Sequence, residues 1–441
     1  MALAGGLLTN NWGCSSGKNM NKNIPSSNRT NWAGNYTYQA KSFHEPTSVE
    51  EVQALVKKLD KQKALGSTHC FNNIADSPQN QISTRKLNNV INLDEEKNTL
   101  TVEAGARYGD FSEGLYLRGF ALHNLASLPH ITVAGACATA THGSGVKNGN
   151  LATAVVSVEL VTPDGDVINI DRSHPDFPGV VVGLGAFGII TKVDLEIQKA
   201  FDVRQDVFLD LPLAALQQNF QAIMSAGYSV SLFTDWMNNK VSEVWVKRRV
   251  DQNPADLGSD FYGATAATKN VHPIVSLAAE NCSQQLGVPG PWYDRLPHFK
   301  MGFTPSAGEE LQAEYFIPRE NAVEAIMAIE KMKDDIYPHL FISEIRTIAA
   351  DNFWLSPCYH RDCVTIHFTW KPKPADVLAL LPRIEEALAP FDVKPHWGKL
   401  FKIDPSILHR RYEKFDDFVA LAKKYDPKGK FRNEYLDLNI Y

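Results

Sequence analysis

The eight residues GSTHCFNN, from Gly66 to Asn73, place a histidine and a cysteine inside a turn of small and polar side chains. An apolar, strand-like approach precedes this turn, and glycine and serine suit a loop whose backbone comes close to another group. A histidine in such a loop packs poorly and has no obvious structural task. The pattern therefore favours His69 as a residue that contacts a ligand.

Charged residues interrupt an apolar segment in the second half of the chain. In FISEIRTIAA, Glu344 and Arg346 are two positions apart, so on a strand their side chains point to the same face. Burying this pair is costly unless both charges are satisfied. A salt bridge on the surface of an edge strand is the alternative that this stretch leaves open.

A second strand pattern, CVTIHFTW, alternates polar and apolar residues. Thr365, His367 and Thr369 share one face, and the residues between them form an apolar face that suits a core. A solvated face is usually more charged, so the polar face is at least as consistent with a pocket. The loop PHWGK adds His396 and Lys399. A lone lysine is usually solvated, but this one follows an aromatic residue and a glycine.

Small residues and glycines dominate two further segments, Ala126–Gly149 (ASLPHITVAGACATATHGSGVKNG) and Gly183–Thr191 (GLGAFGIIT). Neither is a GxGxxG motif that opens a helix after a strand, since GLGAFG at 183–188 leads into the strand-like IITKVDLEIQ, and no phosphate-binding P-loop motif is present. A nicotinamide-binding Rossmann site and a nucleotide triphosphatase are therefore disfavoured. Each glycine-rich segment alone could be a tight turn. Three such segments, two of them with histidine, favour a cradle for a cofactor.

The elements that must position these residues fall into two halves. Ser48 and Glu51 form a capping-box pattern before a helix, and the strand patterns that follow include a hairpin with PDG at its turn. Residues 40–200 are therefore predicted to be an α+β domain with many loops. Beyond about residue 203, strand patterns and two helices predict a separate sheet-plus-helix domain. One helix has Pro318 near its first turn, and the other covers about 376–388; residues 251–310 and the stretch after His396 are predicted to be loop-like.

Composition limits the possible functions. The chain has 441 residues, a net charge of −6 and a pI of about 6.1, so there is no electrostatic case for nucleic acid or an anionic membrane. No apolar run reaches the roughly 18 residues of a membrane span. Residues 1–30 are interpreted as a flexible tail rather than a signal peptide. Six scattered cysteines without metal-ligand spacing favour reduced thiols in a cytoplasmic protein and no metal site.

Together these stretches resemble the alditol oxidases, a family of the vanillyl-alcohol-oxidase group of flavoproteins, on the branch of the sugar-lactone oxidases. The similarity runs from NWAGN at Asn31 to GKFRN ending at Asn433 and includes, in order, GSTHCFN, ASLPHITVAGACATATHGSG, YSVSLFTDW, GVPGPW, LPHF, EIRTIAAD, WLSP, HFTW and PHWGK. The resemblance implies a two-domain α+β fold with a PCMH-type FAD-binding domain over 31–200. It also implies a sheet-plus-helices substrate (cap) domain over 201–395 and a segment, 396–441, that returns to the flavin site.

The resemblance further implies FAD bound covalently through the ring of His69 to the 8α-methyl carbon of the flavin. Thr68 and Cys70 stand where relatives often have glycine and serine, and because both are small the loop geometry is expected to survive. Ser127 stands near the position at which some distant relatives attach FAD through a cysteine. A single attachment is expected, with a second link through Cys137 as the alternative. The residues expected to bind FAD are His69, Leu65, Gly66, Ser67, Thr68, Cys70, Ser127, Thr132, Gly135, Ala136, Cys137, Ala138, His142, Gly143, Ile190, Thr369 and His396.

The implied reaction is oxidation of the terminal primary alcohol of an alditol, such as xylitol or sorbitol, with reduction of O2 to H2O2. A polyol offers only hydroxyls, so its recognition needs a pocket of alternating donors and acceptors. A monomer with the polyol and O2 as its partners is expected. The expected catalytic residues are Lys399, Arg346, Glu344 and His367, and the expected substrate contacts are Ser127, Glu344, Arg346, Thr369 and Lys399.

Two other functions remain open. A sugar-lactone oxidase or dehydrogenase shares a Glu-x-Arg pair and a loop with His-Trp, although YSVSLFTDW, GVPGPW and HFTW favour the alditol oxidases. A non-catalytic protein that binds flavin or polyol is the other alternative. It is weakened by the joint presence of the attachment histidine and both cations.

Overall fold

A computed structural model describes residues 29–253 and 255–441 of the chain. The segment predicted as a tail, residues 1–30, lies outside this description except for its last two residues. None of the helices in the two described ranges is long and apolar enough to cross a bilayer.

The strands of the first half are short and form three small sheets. A parallel sheet has the order β1-β3-β2, an antiparallel sheet has the order β4-β5-β9-β7-β8, and β6 pairs with β10. The strands are β1 (Ser42–His44), β2 (Gln62–Leu65), β3 (Asn80–Ser83), β4 (Val90–Asp94), β5 (Thr99–Glu103), β6 (Phe120–Ala121), β7 (Val155–Val161), β8 (Val167–Asp171), β9 (Ile189–Glu196) and β10 (Gln198–Lys199).

One helix of this half begins where the sequence predicts it. The Ser48 cap is confirmed, because Ser48 Oγ accepts a hydrogen bond from the N–H of Glu51 at 3.3 Å, whereas the Glu51 carboxylate accepts from the N–H of Thr47 at 2.7 Å instead of from that of Ser48. The PDG hairpin is also confirmed, because β7 and β8 pair in antiparallel fashion around that turn. The helices are α1 (Val49–Lys58), α2 (Tyr108–Leu117), α3 (Val133–Ala138) and α4 (Phe177–Val180).

One large antiparallel sheet organises the second half. Its order is β14-β15-β11-β13-β12-β18-β19-β17-β20, with β16 beside β11. The strands are β11 (Asp202–Pro212), β12 (Ser229–Thr234), β13 (Lys240–Arg249), β14 (Asp260–Phe261), β15 (Ala264–Ala266), β16 (Gly290–Pro291), β17 (Leu311–Pro318), β18 (Leu340–Ile348), β19 (Cys363–Trp370) and β20 (Lys394–Pro395). The α+β class and the separation of the sheets agree with the prediction.

The two faces of this sheet differ in chemistry because strand side chains alternate. One face carries residues such as Val244, Ile345 and Phe368, which belong to the main hydrophobic core together with helical residues such as Ile326 and Leu381. The opposite face carries Glu314, Glu344, Arg346 and His367, all of them buried. The helices of this half are α5 (Leu213–Met224), α6 (Trp292–Arg295), α7 (Ala322–Glu330), α8 (Lys333–Ile336), α9 (Pro374–Leu388), α10 (Pro405–Arg411), α11 (Phe415–Tyr425) and α12 (Glu434–Asn439).

Two sequence-based expectations in this half need correction. Pro318 ends β17, and a 3-10 turn over Arg319–Asn321 precedes α7, so the proline is not in the first turn of that helix. The stretch after His396 is not loop-like throughout, because α10, α11 and α12 form there. The side chain of Asp404 caps α10, and α11 buries Phe415, Phe418, Leu421 and Ala422 at helical spacing.

The C-terminal segment packs against the first half of the chain. The N–H of Phe71 donates to the carbonyl of Gly398 at 2.8 Å, and the N–H of Gln62 donates to Lys430 at 2.9 Å. The side-chain amide of Asn433 donates to the carbonyl of Asp76 at 2.8 Å. These bonds bring the loop of Lys399 beside the loop of His69.

Candidate active site

The loop after β2 presents His69 from a strained backbone. A Cβ atom at Gly66 would lie 2.3 Å from Thr132 Oγ1, so only glycine fits there. Thr68 has a φ of +62°, in the left-handed region that a β-branched side chain disfavours. The expectation that a small residue preserves the loop is therefore incomplete, since the Cβ atom rather than side-chain size is the source of the strain.

The ring of His69 is held in position but its nitrogens have no partners in the described part of the chain. It stacks on Trp32 with a centroid distance of 5.3 Å and an interplanar angle of 18°. Trp32 is in turn fixed by its backbone N–H, which donates to the carbonyl of Thr68 at 2.8 Å. Burial, helped by nearby His130, lowers the pKa of His69 to about 4, so the imidazole is neutral at pH 7 and keeps a nitrogen lone pair.

A cavity runs from this loop to the polar face of the large sheet. Cys137 and Gly143 are not in its wall: Cys137 Sγ lies 3.8 Å from the hydroxyl of Tyr108, and a Cβ at Gly143 would lie 2.3 Å from Leu125 O. The other sequence-predicted residues lie in the wall, namely Leu65, Gly66, Ser67, Thr68, His69, Cys70, Ser127, Thr132, Gly135, Ala136, Ala138, His142, Ile190, Glu344, Arg346, His367, Thr369, His396 and Lys399.

Three neighbouring strands place two carboxylates on either side of a histidine. Glu314 of β17 and Glu344 of β18 are both register partners of His367 on β19. Arg346 lies two residues after Glu344 on β18, and Thr369 lies two residues after His367 on β19, so both side chains are on the same face of the sheet. Since β18 is an interior strand and both Glu344 and Arg346 are buried, the alternative of a surface salt bridge on an edge strand is wrong.

Glu314 is the centre of the charge cluster. Its Oε1 accepts from Arg346 Nη2 at 2.6 Å, and its Oε2 accepts from Lys399 Nζ at 2.6 Å. His142 Nε2 lies 3.2 Å from Oε1. Burial alone would raise the pKa of Glu314, but the charges of Lys399 and Arg346 hold that pKa well below its usual range. The carboxylate is therefore ionised and fixes both cations.

Glu344 carries the second buried negative charge. Its Oε1 accepts from His298 Nε2 at 2.7 Å and lies 3.5 Å from Arg346 Nε, and its Oε2 lies 3.9 Å from His367 Nδ1. Burial would raise the pKa of Glu344, but Arg346 and His298 lower it below its usual range. Arg346 Nη1 also donates to Ser127 Oγ at 3.1 Å.

The two remaining histidines of the cluster are neutral. Burial, with the charge of Lys399, lowers the pKa of both His367 and His396 well below the ordinary value. His396 Nδ1 accepts from the N–H of Gly398 at 3.0 Å. His367 Nε2 has no hydrogen-bond partner among the described residues, although His367 lies in the cavity wall.

The loop end of the cavity fits FAD on two observations. The ring nitrogens of His69 and the hydroxyl of Thr132 are buried without partners inside the described ranges. In addition, Cβ atoms at Gly66 and Gly135 would lie 2.3 and 2.8 Å from Thr132 Oγ1, so the chain leaves its backbone bare there. Backbone N–H groups of the loop 65–70 are suited to an anionic group, whereas at the start of α3 the N–H groups of Val133 and Ala134 already donate to the carbonyls of Ala106 and Ala104. The loop 65–70 would hold the anionic part of the cofactor, with α3 packed beside it.

Sequence reasoning missed three residues of this site. Glu314 had a usable signal, because Glu310, Gln312 and Glu314 alternate with apolar residues as on β19. His298 sits in LPHF and Trp32 in NWAGN, and neither segment has a local pattern that points to a role. Their positions depend on contacts with residues 46 and 37 positions away, respectively.

Comparisons with known proteins agree with this geometry. Residues 40–171 match the FAD binding domain family, and residues 305–439 match the D-arabinono-1,4-lactone oxidase family. Over 410 residues the chain is 46% identical to an alditol oxidase of a Streptomyces species, across 92% of this chain and 97% of that protein. The chain belongs to the alditol oxidase family.

Lactone oxidases are more distant relatives of this family member. Identity is 28% to the L-gulonolactone oxidase of Mus musculus, over 93% of this chain and 98% of that protein. The sequence identity to the L-gulono-1,4-lactone dehydrogenase of Mycobacterium tuberculosis is also 28%, over 92% of this chain and 97% of that protein. Among solved structures, the cholesterol oxidase from B. sterolicum superposes with a TM-score of 0.77 at 14% identity, over 95% of this chain and 98% of that one. This likeness concerns the fold alone and confirms the predicted fold class.

Proposed function

We propose that this protein oxidises the terminal primary alcohol of alditols such as xylitol and sorbitol to the aldose, with FAD as cofactor and O2 reduced to H2O2. The supporting observation is the cavity, whose wall contains His69 at one end and Glu344, Arg346 and Lys399 at the other. The reaction balances as RCH2OH + O2 → RCHO + H2O2. The 46% identity to an alditol oxidase supports an alditol over a lactone as substrate.

The charged residues would act on the reacting hydroxyl. When bound, FAD supplies the acceptor for the hydride of the carbinol carbon. Lys399 and Arg346 would stabilise negative charge on the substrate oxygen as its proton leaves. Glu314 fixes both cations through its two oxygens. The neutral ring of His367 lies in the same wall and can exchange a hydrogen bond with the hydroxyl.

The remaining hydroxyls of the polyol would be hydrogen-bonded by Glu344 and by uncharged groups. Glu344 is ionised and therefore accepts hydrogen bonds from hydroxyls beyond the reacting carbon. Ser127 and Thr369 add hydroxyl groups to the same wall. A short alcohol leaves some of these buried groups unpaired, and unpaired buried polar groups discriminate strongly.

Covalent attachment of FAD through His69 is part of the proposal. Its support is the neutral ring in the cavity wall, whose nitrogens have no hydrogen-bond partner in the part of the chain that the structure describes. A second link through Cys137 has no support, because its thiol lies against Tyr108 outside that wall. The proposal also comprises an FAD-binding domain over 31–200, a substrate domain over 201–395, a returning segment over 396–441, and a cytoplasmic monomer.

A substrate panel tests the function. Peroxide release is measured with xylitol, sorbitol, mannitol, glycerol and a sugar lactone, and yellow colour that stays with acid-precipitated protein reports covalent flavin. Peroxide from the five- and six-carbon polyols is the expected result. Bound flavin without peroxide from any alcohol or lactone would instead indicate a non-catalytic binding protein.

A lactone oxidase or dehydrogenase is the second candidate function. The match of residues 305–439 to the D-arabinono-1,4-lactone oxidase family favours it, since this range contains Glu314, Glu344, Arg346 and Lys399. Turnover of the lactone at a higher kcat/KM than xylitol, with O2 or with an artificial electron acceptor, would replace the alditol proposal by this one.

A further inference from the structure

Lys247 is a buried cation with no task in the reaction proposed above. It lies on β13, and only 1% of its surface is exposed. Its Nζ donates to three neutral acceptors: the carbonyls of Leu296 and Pro297, at 2.5 and 3.2 Å, and the ring Nδ1 of His298, at 3.0 Å. Burying a charge on neutral acceptors alone is costly, so a role beyond packing is indicated.

These contacts determine which nitrogen of His298 carries the proton. The ionised carboxylate of Glu344 can only accept, so Nε2 of the neutral ring carries the proton and donates to Glu344 Oε1 at 2.7 Å. His298 Nδ1 is then an acceptor and takes a proton from Lys247 Nζ at 3.0 Å. Burial and the charge of Lys247 lower the pKa of His298 to about 4, which keeps the ring neutral.

The position of His298 itself is tightly fixed. The backbone N–H of His298 donates to the carbonyl of Ser127 at 2.8 Å. Its ring packs edge-on against Phe233 and Trp245, with centroid distances of 5.4 and 5.2 Å. With ring plane and tautomer both determined, the direction of the bond to Glu344 is determined too.

We propose that Lys247 is a positioning residue that acts through His298 on Glu344. It holds one carboxylate oxygen, Oε1, so that the other, Oε2, is presented to the substrate hydroxyls. Oε2 accepts no hydrogen bond from the described residues and lies 3.9 Å from His367 Nδ1 at the cavity wall. This inference rests on the proposed function, because it assigns Lys247 to the selection of long polyols over short ones.

Burial lowers the pKa of Lys247 to about 7, and the charge of Glu344 opposes this shift. The two groups therefore stabilise each other's charged forms across the ring of His298. The three acceptors around Nζ match the ammonium form rather than the amine.

The test compares Lys247→Met with a matched lysine of the same strand. Lys240 lies at the start of β13 and forms an exposed salt bridge with Asp210. In Lys247→Met, the ratio of kcat/KM for xylitol over glycerol should fall about tenfold. The fall should come mainly from a higher KM for xylitol, with kcat within about threefold and an unchanged FAD content. In Lys240→Met the ratio should stay at the wild-type value.

The double variant Lys247→Met/Glu344→Gln separates positioning from a merely structural role. If Lys247 acts through Glu344, the double variant has the same ratio as Glu344→Gln alone. The proposal would be overturned if the two single-variant losses in this ratio multiply in the double variant. A wild-type ratio in Lys247→Met would also overturn it. Peroxide release by the wild type is measured first, because its absence would contradict the proposed function rather than the positioning.

His298→Asn keeps the proposal testable if Lys247→Met does not fold. Its amide oxygen can replace Nδ1 as an acceptor for Lys247, while the donor to Glu344 is lost. The xylitol-to-glycerol ratio should fall as far as in Glu344→Gln. A ratio equal to that of the wild type would show that Glu344 needs no donor from this side and would refute the inference.

Discussion

At the flavin end the cavity wall contains glycines and small side chains around His69, whereas at the substrate end it contains charged side chains that bind one another. The flavin end has Gly66 and Gly135, where a Cβ would lie within 3 Å of Thr132 Oγ1, and His69, whose ring nitrogens have no hydrogen-bond partner among the described residues. The substrate end has Glu314 bonded to two cations at 2.6 Å each. One end has unmet hydrogen-bonding capacity, and the other is largely satisfied internally.

This difference indicates how each end tolerates change. A backbone cradle fails when a side chain is added, while a charge cluster fails when a side chain is removed and leaves a partner unpaired. The flavin end should therefore show effects on cofactor attachment and loop strain. The substrate end should show effects on rate, pH profile and selectivity.

The largest effect is expected from His69→Ala. The variant removes the imidazole ring at the flavin end and should give protein with no acid-stable flavin. Absorbance of acid-precipitated, washed protein measures this. His409→Ala is a control, since His409 is exposed, contacts Asp416 Oδ1 at 2.7 Å and lies outside the cavity wall. Acid-stable flavin in His69→Ala would show that another residue is the attachment point.

Glu314→Gln should be the most damaging change at the substrate end. It leaves Arg346 and Lys399 without their shared anion, and breaking a buried ion pair costs about 3–5 kcal/mol of unfolding free energy. Urea unfolding measures this loss. Glu310→Gln is the matched control, because Glu310 is equally buried but hydrogen-bonds Gln312 and the N–H of Ala307 instead of a cation. Equal losses in both variants would show that Glu314 has no special role.

Lys399→Ala and Arg346→Ala should each lower turnover roughly a hundredfold, or about 3 kcal/mol, by loss of an oriented charge. Burial lowers the pKa of Lys399 below its ordinary 10.5, and Glu314 opposes this. Activity should therefore decline as pH rises through that lowered pKa, and in Glu314→Gln the decline should move to lower pH. The exposed Lys402 in the same loop gives a control, Lys402→Ala. Turnover within twofold of wild type would remove the substituted residue from the mechanism.

Glu344→Gln should change selectivity more than rate. It keeps the shape but replaces a charged acceptor by a neutral one, and this difference is about 1.4 kcal/mol or tenfold. The five- and six-carbon polyols should lose more than glycerol because they reach more of the pocket. The measurement is kcat/KM for xylitol over glycerol in both proteins. An unchanged ratio would mean that Glu344 serves only as an internal salt-bridge partner of Arg346.

Thr68→Gly should have the smallest effect. Relief of the φ of +62° gains about 1–2 kcal/mol, and the added freedom of the unfolded chain removes about 0.4–1 kcal/mol. A net increase of about 0.8 kcal/mol in unfolding free energy is therefore expected. Thr68→Ala keeps the Cβ atom and should not show this increase in unfolding free energy. A loss of stability in Thr68→Gly would mean that threonine contacts outweigh its strain.

Much of the site was predictable from the sequence because alternation and glycine content are local properties. The alternation in CVTIHFTW predicted that His367 and Thr369 share a polar face, and the spacing of Glu344 and Arg346 predicted a shared face too. The burial of Glu344 and Arg346 was not predictable, since the same Glu-x-Arg spacing occurs on solvated edge strands. The helices after His396 were missed because their caps and apolar spacing follow a segment rich in loop-like residues.

The sequence by itself determined which backbone stretches are bare, which strands have one polar face, and that His69 stands in a loop suited to a ligand. These follow from residue type and from the periods of strands and helices, which need no knowledge of distant neighbours. Only the tertiary structure decided that Glu314 binds Arg346 and Lys399, which are 32 and 85 positions away. Strand order and register bring such residues together, and the free energy that selects them is spread over the whole core.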